Sequence, residues 1–168
     1  MALSILKNTL PTLTSSGGTN GKADIVLSSD NGKNKVVLPV VPAELPEITC
    51  PQNNETFNGV RGDMSVIGTL GLRFVTLDNY LLPASPDKYV FARPYGSKAA
   101  DVINFLIKNQ NDFIPIRIAI TYEDGSVYLN MACLINNFSY QVDNLGDYHL
   151  KLDLTEYRMV NRSGGLSS

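Results

Sequence analysis

Apolar and polar residues alternate with period two along much of this chain, most regularly near its end. Phe138, Tyr140 and Val142 alternate with Asn137, Ser139 and Gln141; after Asp143-Asn144-Leu145-Gly146-Asp147, Tyr148, Leu150, Leu152 and Leu154 alternate with His149, Lys151, Asp153 and Thr155. Period two predicts two strands, each with one buried and one wet face, joined by a polar turn. A second hairpin is predicted from Ile114–Tyr122 and Val127–Ile135 around Glu123-Asp124-Gly125-Ser126, and a third from Ile25-Val26-Leu27 and Val36-Val37-Leu38 around the Asn31-Gly32 turn within Ser28-Ser29-Asp30-Asn31-Gly32-Lys33.

Between these hairpins the pattern is less regular. Pro39, Pro42 and Pro46 remove three backbone donors within eight residues, so pairing is expected to stop there. A turn at Gln52-Asn53-Asn54, short strands near Thr56–Val60 and Ser65–Ile67, and a longer strand from Leu72 to Tyr80 buried on one face follow. Pro83, Pro86 and Pro94 mark a second irregular stretch. The period then changes: Ala99, Val102, Ile103 and Leu106 recur at i, i+3, i+4 and i+7, which predicts an amphipathic helix over Lys98–Asn109 with Ser97 as its N-cap. Many strands, one helix and no fixed repeat make the expected fold mainly β with one helix. The expected architecture is an antiparallel β-sandwich or partly closed barrel whose helix covers an edge.

The two ends read differently. Thr14–Gly21 is a small-polar cluster, so residues 1–21 are expected to form a flexible arm and linker, although Leu3, Leu6 and Leu10 stand at helical spacing and suit ordering against a partner. Residues 22–160 form the expected β domain, and residues 161–168 a loose polar tail.

Composition narrows the function classes. The 168 residues carry fourteen Lys+Arg against sixteen Asp+Glu, a formal charge of -2, so no basic field exists to hold nucleic acid by counterion release. No stretch approaches the roughly 18 apolar residues of a spanning helix, so no membrane insertion is expected. The start, Met1-Ala2-Leu3-Ser4-Ile5-Leu6-Lys7, has neither the basic region nor the apolar run of a secretory signal, so the chain is expected to stay in its producer's cytosol. Charged residues are only 18% of the chain beside eight Tyr and six Phe, a balance that suits burial of surface against partners.

Candidate chemistry is sparse. His149 is the single histidine and takes a polar-face slot in a strand; Asp147 and Asp153 stand near it in sequence, but no G-x-S-x-G elbow supplies a nucleophile. Cys50 and Cys133 form no C-x-x-C pair, and no metal-ligand spacing occurs, so no metal, cofactor or catalytic residue is expected. Gly59, Gly62, Gly68 and Gly71 open no phosphate-binding loop and are read as turns and bulges. Arg61-Gly62-Asp63 is likewise read as a turn. A carbohydrate-binding role would need exposed aromatics on one surface, with Tyr80, Tyr89, Tyr95, Tyr122 and Tyr128 as candidates.

Several segments taken in order carry a resemblance: Ile25-Val26-Leu27, the run Val37-Leu38-Pro39-Val40-Val41-Pro42-Ala43-Glu44-Leu45-Pro46, Asn53-Asn54-Glu55-Thr56-Phe57, Gly71-Leu72-Arg73, and Asp147-Tyr148-His149-Leu150-Lys151-Leu152-Asp153-Leu154-Thr155-Glu156-Tyr157-Arg158. Over about Lys22–Arg158 the chain resembles the N-terminal domain of LysM-containing baseplate hub proteins of contractile phage tails and phage-tail-like bacteriocins. The resemblance implies a tail-tube-like fold and a structural, non-enzymatic role in the baseplate, joining the tail tube to the central spike hub as a tube-initiating or adaptor ring. It implies as partners copies of the chain in a ring, six-fold by preference and three-fold as the alternative, together with tail-tube and spike or hub proteins. The implied location is the virion or particle, after assembly in the bacterial cytoplasm. Members of that family often continue into a LysM module after the strand that ends here at Arg158, so scaffolding is expected rather than wall binding. A cell-wall or carbohydrate-binding module acting at puncture is the alternative. Residues 1–21 are extra to the pattern and are expected to dock on a neighbouring subunit.

Overall fold

The computed structural model describes Ala23–Arg158; the expectations for residues 1–21 and 161–168 lie outside the described residues. Strand β1 (Ala23–Ser29) and strand β2 (Asn34–Val37) form the expected hairpin, with Ser29 opposite Asn34 and Val26 opposite Val37. Asp30, Asn31 and Gly32 all take positive φ (51°, 55° and 86°) in its turn, a conformation that these three residue types adopt at least cost. Ala23, Ile25 and Leu27 point inward, so alternation and turn chemistry agree on the register.

After the proline corner come the two-residue β3 (Ile48–Thr49), β4 (Glu55–Gly59), β5 (Gly62–Val66) and β6 (Phe74–Leu82). Helix α1 spans Ala99–Asn111 and is followed by β7 (Ile116–Tyr122), β8 (Val127–Val142) and β9 (Tyr148–Glu156). Seven strands make one antiparallel sheet in the order β2-β1-β7-β8-β9-β6-β3, which does not close; β4 and β5 pair only with each other. The fold is therefore mainly β with one helix, as expected.

Strand β8 differs from the expected two strands. It is one 16-residue strand whose first half pairs with β7 and whose second half pairs with β9. Its register slips between Ile135 and Asn137, and the extra residue, Asn136, donates its side-chain amide to Thr155 Oγ1. Such a bulge bends a strand and inverts the phase of its side chains. Leu129, Met131 and Cys133 are buried before it, whereas Phe138, Tyr140 and Val142 face the buried Leu152 and Leu150 and the partly buried Tyr148 after it. Side chains of β1, β6, β7, β9 and α1 meet in one hydrophobic cluster that includes Ile25, Leu82, Ile118, Leu152 and Leu106.

The helix is close to its expected span and buries Ala99, Val102, Ile103, Phe105 and Leu106. Ser97 is not its N-cap. Lys98 holds that position without a side-chain cap, and Ser97 Oγ instead accepts from the Val37 N–H (3.0 Å) while its own N–H donates to the Val37 carbonyl (2.8 Å). The outer edge of β2 needed partners for those two backbone groups, and their demand outweighs capping. The helix start thereby covers a sheet edge. In β6 the inward residues are Val75 and Leu77, then Tyr80 and Leu82, because a bulge with Asn79 at φ 47° shifts the phase; Phe74, Thr76 and Asp78 are exposed.

Candidate functional site

Strands β4 and β5 are the outer part of a longer ribbon rooted in the sheet. At the root Ile48 pairs with Val75 and Thr49 with Phe74; farther out Gly71 donates to the Pro51 carbonyl (2.9 Å), Gln52 bridges Leu70, and Asn53 donates to the Thr69 carbonyl (3.0 Å). Beyond Gly68, Glu55 faces Val66, and the ladder ends where Gly59 faces Gly62. The two sides of the ribbon come close at Gly68, where a Cβ would lie 1.3 Å from the Asn53 carbonyl oxygen, so only glycine lets the ribbon pass. Ten residues from Thr49 to the tip reach roughly 30 Å at about 3.3 Å per residue. Val60 and Arg61 turn the chain at that tip; Gly62 and Asp63, expected in the turn with Arg61, are already paired in β5, opposite Gly59 and Asn58.

The ribbon is amphipathic. Phe57 opposite Met64, and Val66 opposite Glu55, share one face; Thr56 opposite Ser65, and Asn58 opposite Asp63, share the other. Nothing among the described residues covers the apolar face: Phe57 is 52% exposed, Met64 62%, and Val66 50%. A lone two-stranded ribbon is marginal in water, and a contiguous exposed apolar patch marks a surface that meets a partner. A second uncovered surface lies along β8. Tyr140 and Val142 lie on the core face yet are about half exposed, because among the described residues no element packs over the end of that row. This corrects the expectation that their face is buried. On the side away from β9, Asn136–Val142 pairs with nothing among the described residues, and it carries no charge and no proline. Such an edge is open to strand addition.

The ribbon's root is fastened by a carboxylate. Glu156 accepts from the Arg73 N–H (3.1 Å), Arg73 Nη2 (2.9 Å) and Arg158 Nη2 (2.9 Å), while Arg158 also donates to the Gly71 carbonyl (2.9 Å). Burial opposes ionisation of Glu156, but these donors outweigh it and hold its carboxyl down at about 2. Tyr157 adds a backbone bond to the Ala132 carbonyl. Glu156-Tyr157-Arg158 is thus a clamp at the root of the ribbon.

Asp147 is a second fastening point. Its fully buried carboxylate accepts from the Ala84 N–H (3.0 Å), Tyr89 OH (2.6 Å) and Lys88 Nζ (2.7 Å). Burial disfavours its charge, yet the bonds from Lys88, Tyr89 and Ala84 prevail and keep its carboxyl below the usual range. It holds the Pro83–Pro94 stretch against the β8–β9 turn. This leaves no role beside His149, whose Nδ1 faces Asn79 Oδ1 at 3.1 Å and whose Nε2 faces Asp143 Oδ2 at 3.7 Å. Asp153 instead accepts from Thr76. Among the described residues no hydroxyl is hydrogen bonded to the imidazole, so the spacing that placed Asp147 and Asp153 beside His149 in sequence does not assemble a nucleophile, base and orienting acid.

The five tyrosines do not share one surface. Tyr80 is in the core, Tyr89 lies on Asp147 and stacks on Phe91 (5.0 Å), and Tyr122 meets Tyr128 edge-on (6.5 Å). Tyr95 and Tyr122 do line a groove of about 680 Å³ with Phe91, Val41, Leu45 and Ala23. Both cysteines are free, Cys133 buried and Cys50 exposed; burial pushes the Cys133 thiol up to about 12. Among the described residues no cluster of His, Cys, Asp and Glu is placed to hold a metal ion, and no helix is long and apolar enough to cross a membrane.

The strands of the ribbon are legible in the sequence, but their separation from the main sheet and the reach of Glu156 and Asp147 are not. The paired glycines, Gly59 with Gly62 and Gly68 beside Asn53-Asn54, are the signal that marks close backbone approach there. No family model and no curated protein matches the chain.

Proposed function

We propose that this chain is a structural adaptor of a contractile tail or tail-like particle, a ring of identical copies that joins the tail tube to the central spike hub. The observation that carries the reading is the clamped, amphipathic ribbon over Ile48–Val75 with its uncovered apolar face. A protein built to act alone has no reason to stiffen the root of such an arm. In the proposed ring the ribbon of one copy reaches the next, whose Asn136–Val142 edge offers unpaired backbone and the Tyr140–Val142 row. The interface is heterologous and closes by rotation, with six copies preferred over three because a tube is the partner. The resemblance over Lys22–Arg158 supplies the tail context, and the -2 charge suits a lumen that does not trap nucleic acid.

The test is to replace Phe57 and Met64 together by Ser, on the apolar face of the ribbon. Native mass spectrometry and negative-stain microscopy of the wild-type chain with its tube protein as template should give closed multi-copy rings. The double variant should stay monomeric with an unchanged circular dichroism spectrum. Wild-type protein that remains monomeric on the template, or a variant that assembles equally well, would overturn the reading. A second reading, a cell-wall glycan binder, is favoured by Phe91, Tyr95 and Tyr122 lining one groove. It predicts sedimentation with purified peptidoglycan, which an adaptor does not show.

A further inference from the structure

The groove that Tyr95 and Tyr122 line is formed by two irregular segments, Val41–Leu45 and Val90–Tyr95, and its lining is mixed: Val41, Pro42, Leu45 and Phe91 bring apolar side chains, Arg93 and Tyr95 polar ones. Val90 and Phe91 on one wall are strongly exposed, so the walls present apolar surface that the described residues do not cover. At one end of the groove stands Ala23, the point where the first 22 residues of the chain join the domain. That junction is held in place. Arg93 donates from Nη2 to the Ala23 carbonyl (3.2 Å) and pairs through Nε with Asp24 (3.2 Å), whose carboxylate also accepts from Tyr95 OH (2.9 Å). Ala23 and Asp24 are therefore fastened to the groove by Arg93 and Tyr95 of its own lining.

The segment that departs there has the chemistry to fill it. Leu3, Leu6 and Leu10 recur at helical spacing with Ile5 and Leu13 beside them, and the nine residues Thr14–Lys22 that follow are small and polar. Nine residues of that composition have a root-mean-square span of roughly 15–18 Å and a maximum near 30 Å, enough to reverse direction and return along the groove. A tether of that length gives an effective concentration on the order of millimolar, so modest affinity suffices for the chain's own segment to outcompete one from another molecule. We propose that residues Leu3–Leu13 fold back in cis into this groove, with the leucine stripe against Val41, Leu45 and Phe91. The occupant proposed is the chain itself, the alternative to the neighbouring subunit expected from sequence. Filling the groove in this way would also remove Phe91 from the reach of a glycan.

Cysteine crosslinking of the full chain tests this. In a Cys50→Ser background, Lys7→Cys is combined either with Val90→Cys on the groove wall or with Lys33→Cys in the β1–β2 turn. The latter lies about 20 Å from Ala23 along β1 and within the tether's reach. All three positions leave the leucines and the core untouched, and Cys133 is buried. At micromolar protein, in-cis docking should form the Lys7→Cys/Val90→Cys disulfide as a monomer at least about tenfold faster than the Lys33→Cys control. Leu6→Asp with Leu10→Asp should bring the two rates together. Equal rates without those changes overturn the proposal, and so does a product that is a crosslinked dimer, which would assign the groove to a second copy. Neither result bears on the ribbon, so this inference and the ring reading fail separately.

Discussion

Replacing Glu156 by Gln removes one charge and little else, which makes the clamp at the ribbon's root separable from packing. The folded carboxyl sits at about 2 against an ordinary 4.5, because Arg73 and Arg158 donate to it. Taken at face value that difference is worth roughly 3 kcal/mol, since one pKa unit is about 1.4 kcal/mol. Arg73 and Arg158 are themselves 37% and 47% exposed, so water screens the pair and a realistic contribution is about 1–2 kcal/mol. The sign follows from linkage: a depressed carboxyl stabilises fully above 4.5, and the contribution fades as pH falls toward 2. Urea unfolding of the wild-type chain and E156Q at pH 7 and at pH 3 therefore has two expected readouts. At pH 7 the variant should be less stable by about 1–2 kcal/mol, and the gap should narrow at pH 3. Equal stability at pH 7, or a gap that does not change with pH, would refute the clamp. Proteolysis adds spatial resolution, because E156Q should be cut sooner within Pro51–Leu72 than elsewhere.

Two further outcomes follow from buried polar groups. Asp147→Ala strands Lys88, Tyr89 and the Ala84 N–H without their common acceptor and should cost about 3 kcal/mol, read as a lowered denaturation midpoint; a loss below about 1 kcal/mol would mean that water replaces the carboxylate. Tyr80→Phe should be neutral or stabilising by up to about 1 kcal/mol, because among the described residues the buried Tyr80 hydroxyl makes no well-formed hydrogen bond, only the Val40 backbone standing near it; clear destabilisation in the same assay would show that the Val40 contact is a working bond.

The sequence by itself determined the local elements. Asp30-Asn31-Gly32 and Asp124-Gly125 specify turns through the conformations that those residues tolerate, the strict alternation of Tyr148–Leu154 sets the face of β9, and the apolar spacing of Ala99–Leu106 sets the buried stripe of α1. These are properties of a few neighbouring residues, so a few neighbouring residues reveal them. Only the tertiary structure decided which faces are covered. Tyr140 and Val142 have the same alternation as Leu150 and Leu152, yet they stay half exposed because nothing among the described residues packs over their end of the row. Ser97 has the chemistry of a cap but serves the edge of β2, sixty residues earlier in the chain. Glu156 meets Arg73 across 83 residues and Asp147 meets Ala84 across 63, so neither carboxylate's partner can be seen from its own neighbours. The pattern that ends at Arg158 was readable as a strand end, but its work as the clamp of a projecting ribbon exists only where distant segments meet, because burial and ion pairing depend on the space a fold encloses rather than on adjacency along the chain.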